Sequence, residues 1–179
     1  MTLPRSKTSR IRMLALLTLA ATALSACTPT PEPTPTPTAA FASEEEAFVA
    51  AEEVYRAYND AVNTQRKNEN DDDPQKYLTA LALQSDIDAN RVLQDNGVHI
   101  EGPGEVASFE GIGSTLSTTP ATVSAEVCLD VGATRVIDEH GEDRTPESRA
   151  DVVALDVKFV MTDQGLRISS STENTARKC

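Results

Sequence analysis

The hydrophobic period of this chain changes at Asn96-Gly97, from the 3.6 of a helix to the 2 of a strand, and that change limits the fold more than any other feature. Ahead of it, Ser43-Glu44-Glu45-Glu46 is a capping box whose acids sit on the positive end of the helix dipole; it predicts a helix from about Glu44 to Lys67. Phe48, Ala51, Tyr55, Tyr58 and Val62 recur there at three- and four-residue spacing, with Ala47, Val54 and Ala61 widening the stripe. Asp73-Pro74 is a cap followed by proline at the first helical position, predicting a short second helix through Tyr77, Leu78, Leu81 and Ala82. Ser85 and Asp88 suggest the cap of a third, through Ile87, Ala89, Val92 and Leu93 to the stop at Asn96-Gly97.

Beyond the stop, Val98 and Ile100 alternate with His99 and Glu101, and a Gly102-Pro103-Gly104 turn leads into a glycine-broken strand through Val106 and Phe109 toward Leu116. Val123, Ala125, Val127, Leu129 and Val131 point one way, while Ser124, Glu126, Cys128 and Asp130 point the other. Val153, Leu155, Val157, Phe159 and Met161 repeat the pattern, and Asp163-Gln164-Gly165 turns the chain into a last strand with Leu166 and Ile168 inward. Arg135 to Ala150 is a long connection opening on a short strand at Val136 and Ile137. Helices first and antiparallel strands second predict an α+β fold, with one sheet face packed under the helices.

Charge and composition remove some functions. Lys plus Arg number 16 against 28 Asp plus Glu, a net charge of −12, which disfavours a grip on nucleic-acid phosphates. Aromatic residues make up 4% and Trp is absent, so a stacking platform for bases or sugars is disfavoured too.

The N-terminus carries an address. Arg5, Lys7, Arg10 and Arg12 precede the apolar run from Met13 to Leu24, which is short of the roughly 20 residues that a spanning helix needs and has the build of an export signal. Leu24-Ser25-Ala26-Cys27 resembles the lipobox of bacterial lipoproteins. The resemblance implies a diacylglyceryl group on the Cys27 thiol, cleavage just before it, and anchoring to the membrane on its extracytoplasmic face, for which two acyl chains suffice. On that reading residues 1–26 are the signal peptide, 27–42 the lipidated cysteine and a Thr/Pro-rich tether, and 43–179 a single α+β domain. Loss of the leader removes four cations, leaving 12 Lys plus Arg against 28 acids, or −16. Proline at every second position from Pro29 to Pro37 favours an extended polyproline II spacer. At about 3.1 Å per residue, residues 28–42 reach roughly 45 Å, well beyond a Debye length of about 8 Å, so repulsion by anionic headgroups is unimportant.

Once Cys27 is acylated, Cys128 and Cys179 remain as an even pair in a non-reducing compartment, which predicts a disulfide between them. Cys128 lies on the polar face of its strand, and the short polar tail from Asn174 to Cys179 can fold back across that face.

A long amphipathic helix, two short ones and a meander of antiparallel strands over Ser43 to Ser171 look like the cone-shaped nuclear transport factor two-like superfamily, also called SnoaL-like. With the lipobox, the tether and two late cysteines, the chain is similar to uncharacterised lipoproteins of high-GC Gram-positive bacteria. The resemblance implies a curved, cone-like sheet whose open face often dimerises in relatives, which extends the expected partners to a homodimer. Enzymes on that fold use an acid or histidine projecting into the cone, and no residue here matches those positions by motif.

Candidates for chemistry reduce to ordinary side chains. His99 alternates with apolar strand residues and reads as a surface or satisfied group, and His140 sits in the solvated turn Asp138-Glu139-His140-Gly141. Tyr55, Tyr58 and Tyr77 read as core or rim at helical spacing. The acidic run Asn68 to Asp73 invites calcium, but an EF-hand needs glycine at its sixth place and glutamate at its twelfth, where Asp73 and Thr79 stand. No phosphate loop, nucleophile elbow, dinucleotide fingerprint or zinc spacing occurs. No cofactor, metal or catalytic residue is therefore assigned, and the expected function is a non-catalytic binding domain for an envelope protein or small ligand. A small-molecule enzyme or ligand carrier using the cone cavity is the alternative.

Overall fold

The computed structural model of the chain describes residues 40–67 and 72–179. The expected leader, Cys27, all but the last residues of the tether, and Asn68 to Asp71 of the acidic run lie outside the described residues.

Helix α1 spans Glu44–Arg66, and Ser43 caps it by accepting from the Glu46 N–H at 3.2 Å. Glu46 reaches back to the Ala42 N–H at 2.7 Å, so the box satisfies donors on both sides of the helix start. The buried residues of α1 are Ala47, Ala51, Tyr55, Asn59 and Ala61. Two alanines with no exposed surface let the helix backbone lie close on the sheet, while Phe48, Val54 and Tyr58 flank that contact and are only partly buried.

The expected second and third helices are corrected. Pro74–Tyr77 is a single 3-10 turn, with Asp73 capping the Gln75 N–H, and helix α2 runs unbroken over Ala80–Asp95. Neither Ser85 nor Asp88 caps it; both fall in its interior. The cause is a long-range contact. Leu78 is extended and bridges Ile168, and the Thr79 N–H donates to the Ile168 carbonyl at 2.9 Å. The sheet edge takes the backbone for two residues and releases it into a new helix at Ala80, whose φ is +48°. A left-handed alanine costs roughly 1–2 kcal/mol, which the helix and the bridge on either side must offset.

Six strands follow: β1 Val98–Glu101, β2 Glu105–Thr115, β3 Thr122–Asp130, β4 Arg135–Asp138, β5 Val152–Thr162 and β6 Gly165–Glu173. Four of them form an antiparallel sheet in the order β2-β3-β5-β6, and β1 pairs antiparallel with β4 in a separate two-stranded sheet. The glycine-broken strand is β2, with shifts of register against β3 between Val106 and Ser108 and between Gly111 and Gly113. The first lets Val106 and Phe109, three apart, both lie against the core; the second leaves Ile112 more than half exposed.

The core lies between α1 and one sheet face. Val123, Ala125 and Val127 of β3, Val157 and Phe159 of β5, and Ile168 of β6 pack under Ala47, Ala51 and Tyr55. An aromatic chain crosses it, with ring centroids 6.4 Å apart for Tyr55 and Phe109 and 6.2 Å for Phe109 and Phe159. On the opposite face, Cys128 and Cys179 are disulfide-bonded with Cα atoms 5.7 Å apart, within the usual range for a bridge. Among the described residues the architecture is thus α+β, with two α-helices packed on antiparallel sheets.

Candidate functional site

Helix α1 presents a polar ladder near its C-terminal end. Asn59, Asn63 and Arg66 stand at helical spacing, and all three reach the turn Gly102-Pro103-Gly104 that joins β1 to β2. The side-chain amides of Asn59 and Asn63 donate to the Gly104 carbonyl at 2.9 and 2.8 Å, and the Gly104 N–H donates to Asn63 Oδ1 at 2.9 Å. One Arg66 guanidinium nitrogen donates to the Gly102 carbonyl at 3.4 Å. Gly102 has φ +83°, and a Cβ there would lie 2.2 Å from the Ala133 carbonyl oxygen, so only glycine fits. Sequence reasoning missed this clamp. Its signal was available as two amides and a cation on one stripe of an otherwise apolar helix face.

The clamp fixes β1 beside both helices and leaves a cleft of about 630 Å³ between α1, α2 and β1. Val62, Leu93, Val98 and Ile100 line it with aliphatic surface, and Tyr58, Arg66 and Asp86 line it with polar groups. Asp86 projects from α2, where its Oδ2 accepts from Gln75 Nε2 at 3.0 Å and from Asn90 Nδ2 at 3.1 Å. Burial pushes the Tyr58 phenol up to about 12; nearby Asp86 adds to that rise and Arg66 opposes it. The Arg66 guanidinium is lowered from its ordinary value by desolvation, with Tyr58 working in the opposite sense.

The residues singled out from the sequence are dispersed. His99 stands on the cleft rim, largely exposed, with Nε2 3.0 Å from Glu101 Oε1. His140 is exposed in its turn, where its backbone N–H donates to Asp138 Oδ1 at 2.9 Å. Tyr55 is in the core, Tyr58 in the cleft wall, and the Tyr77 hydroxyl donates to Asp72 at 3.1 Å. Among the described residues no three His, Cys, Asp or Glu side chains are grouped so as to hold a metal ion. Asp72 pairs with Lys76 and Asp73 caps the 3-10 turn, so these two acids of the run are engaged within the chain. No helix of the described residues is long and apolar enough to cross a membrane.

No family model and no curated protein matches the chain. Among solved structures, it is similar to a crystal structure of the intermembrane space region of chloroplast protein ARC6, with a TM-score of 0.50. The identity is 13%, over 70% of this chain and 95% of that one, a likeness that concerns the fold alone.

Proposed function

We propose that this protein is a lipid-anchored lipoprotein on the extracytoplasmic face of the cell membrane, and that its domain, a cone-like member of the nuclear transport factor two-like superfamily, binds a partner or ligand without transforming it. The observation that carries the reading is the filling of the inner sheet face. Where an enzyme on such a fold would hold its reacting groups, Val123, Val127, Val157, Phe159 and Ile168 are fully buried against α1. General acid–base chemistry needs a titratable group in a cavity, and the side chains at this position are aliphatic or aromatic. Recognition falls instead to the lateral cleft beside Tyr58, which combines aliphatic walls with a few polar groups, as ligand sites do.

Export is supported by the Cys128–Cys179 disulfide, a bond that persists in oxidising compartments and is rare in a reducing cytoplasm. The leader, lipobox and Thr/Pro tether are mutually consistent signals for the anchor. Two measurements test the reading. Protein purified from its native host is expected to carry a diacylglyceryl mass on Cys27 and to partition into detergent, and Cys27→Ser to stay in the aqueous phase; an unmodified Cys27 in the wild type overturns the anchor. Alanine at His99 or His140 is expected to leave the biological role intact, and turnover of a defined substrate lost in either variant overturns the non-catalytic assignment.

A further inference from the structure

The lateral cleft has a charge arrangement that narrows its occupant. Arg66 on α1 and Asp86 on α2 both line it, and they do not pair with each other; among the described residues no carboxylate lies within 4.0 Å of the Arg66 guanidinium. The Arg66 contact to the Gly102 carbonyl, at 3.4 Å, is long, and both amide bonds to Asp86 fall on Oδ2, so Oδ1 keeps its acceptor capacity. Tyr58 lines the same cleft as both charges. The remaining charges of the lining, Lys67 and Glu101, are exposed at the rim, where water screens them.

A half-buried cation and a half-buried anion that do not meet each keep bonding capacity that a ligand can take from water. A simple anion entering the cleft would satisfy Arg66 and be repelled by Asp86, and a simple cation would meet the reverse. A molecule carrying both signs satisfies both, and the aliphatic wall of Val62, Leu93 and Ile100 favours an apolar body on it. We infer that the cleft is a site for a small aliphatic zwitterion of the α-amino-acid class, its carboxylate at Arg66 and its ammonium at Asp86. The inference rests on the binding reading above and names the ligand class for that cleft.

Calorimetric titration of the full chain in detergent with three probes of the same apolar body tests it. Leucine carries both charges, isocaproate the carboxylate alone and isoamylamine the ammonium alone. Leucine is expected to bind at least about tenfold more tightly than either, the amount one charge-assisted hydrogen bond supplies. Asp86→Asn, which keeps a side-chain acceptor for Gln75 and Asn90, is expected to abolish the advantage of leucine over isocaproate, weakening leucine and, with the repulsion gone, tightening isocaproate. The comparison of probes on the wild-type chain stands whether or not a variant folds. Isocaproate or isoamylamine equal to leucine overturns the zwitterion and leaves the binding reading in place, as does anilinonaphthalene sulfonate binding where none of the three does. Failure of all four probes overturns both the zwitterion and the assignment of ligand recognition to this cleft.

Discussion

At Gly111 the closeness of α1 to the sheet is decided by a single missing atom. A Cβ there would lie 2.3 Å from Cγ of Phe48, the root of the ring and not its flexible end, so the ring can clear it only by moving the side chain as a whole. Gly111→Ala is therefore expected to destabilise the domain by about 1–3 kcal/mol, the usual range for overpacking. If the clash is the cause, Phe48→Ala and Gly111→Ala together should cost less than the sum of the two, and strict additivity in urea unfolding would exclude it. Tyr58 gives a residue-level pH dependence. Its phenol is raised from 10.0 to about 12, mainly by burial, so the folded state favours the neutral form. Stability from this group is fully present below pH 10 and is lost as pH rises from 10 through 12. Tyr55, more deeply buried, is raised in the same direction. Tyr58→Phe is expected to flatten the alkaline limb of the stability curve between those values. An unchanged limb in the variant would mean that Tyr58 ionises as it does in the unfolded chain.

Between the two helices the burial is unequal. Helix α1 buries five residues and α2 only Ala82, with Leu81 and Val92 of α2 about 60% exposed at 60% and 59%. Local opening follows local burial, so amides in the middle of α2 are expected to exchange with solvent markedly faster than those around Ala51 and Tyr55 of α1. Equal protection in a native-state hydrogen-exchange experiment would contradict this. The same inequality explains what could be read from the sequence. The start of α1 was legible because its box is local, and β3 and β5 because their alternation survives in the register Val123↔Phe159, Ala125↔Val157 and Val127↔Leu155. The start of α2 was not, because a strand nearly ninety residues away at Ile168 sets it, and the bulges of β2 were visible only as glycines. Of the cleft, Tyr58 reads from the sequence only as core or rim, and the pairing of β1 with β4 that builds its far wall joins segments whose order gives no local cue.

The outer face of the main sheet is closed by the C-terminal tail, which makes the disulfide a property of the whole domain. The Asn174 N–H donates to the Ala154 carbonyl at 2.8 Å, its side chain reaches Asp156, and Arg177 pairs with Glu110 of β2 and Glu126 of β3 before Cys179 joins Cys128. Ala154, on the polar side of β5 opposite Cys128, is 6% exposed beneath this strap. The ion pairs hold it weakly: Arg177 and Glu110 are substantially exposed, and pairs of that kind contribute about 0–1 kcal/mol. The covalent link closes a loop with a sequence separation of 51, worth about 4 kcal/mol in the chain-entropy model. The bond therefore outweighs the Arg177–Glu110 pair several-fold. The double variant Cys128→Ser, Cys179→Ser is expected to keep its far-ultraviolet dichroism and to melt about 10–20 °C lower, whereas Arg177→Ala shifts the midpoint by only a few degrees. A dithiol reductant should lower the wild-type midpoint toward that of the double variant and leave the variant unmoved. Coincident melting of wild type and double variant without reductant would mean that the strap is held by its polar contacts alone, and that the bridge constrains an unfolded chain already compact enough not to need it.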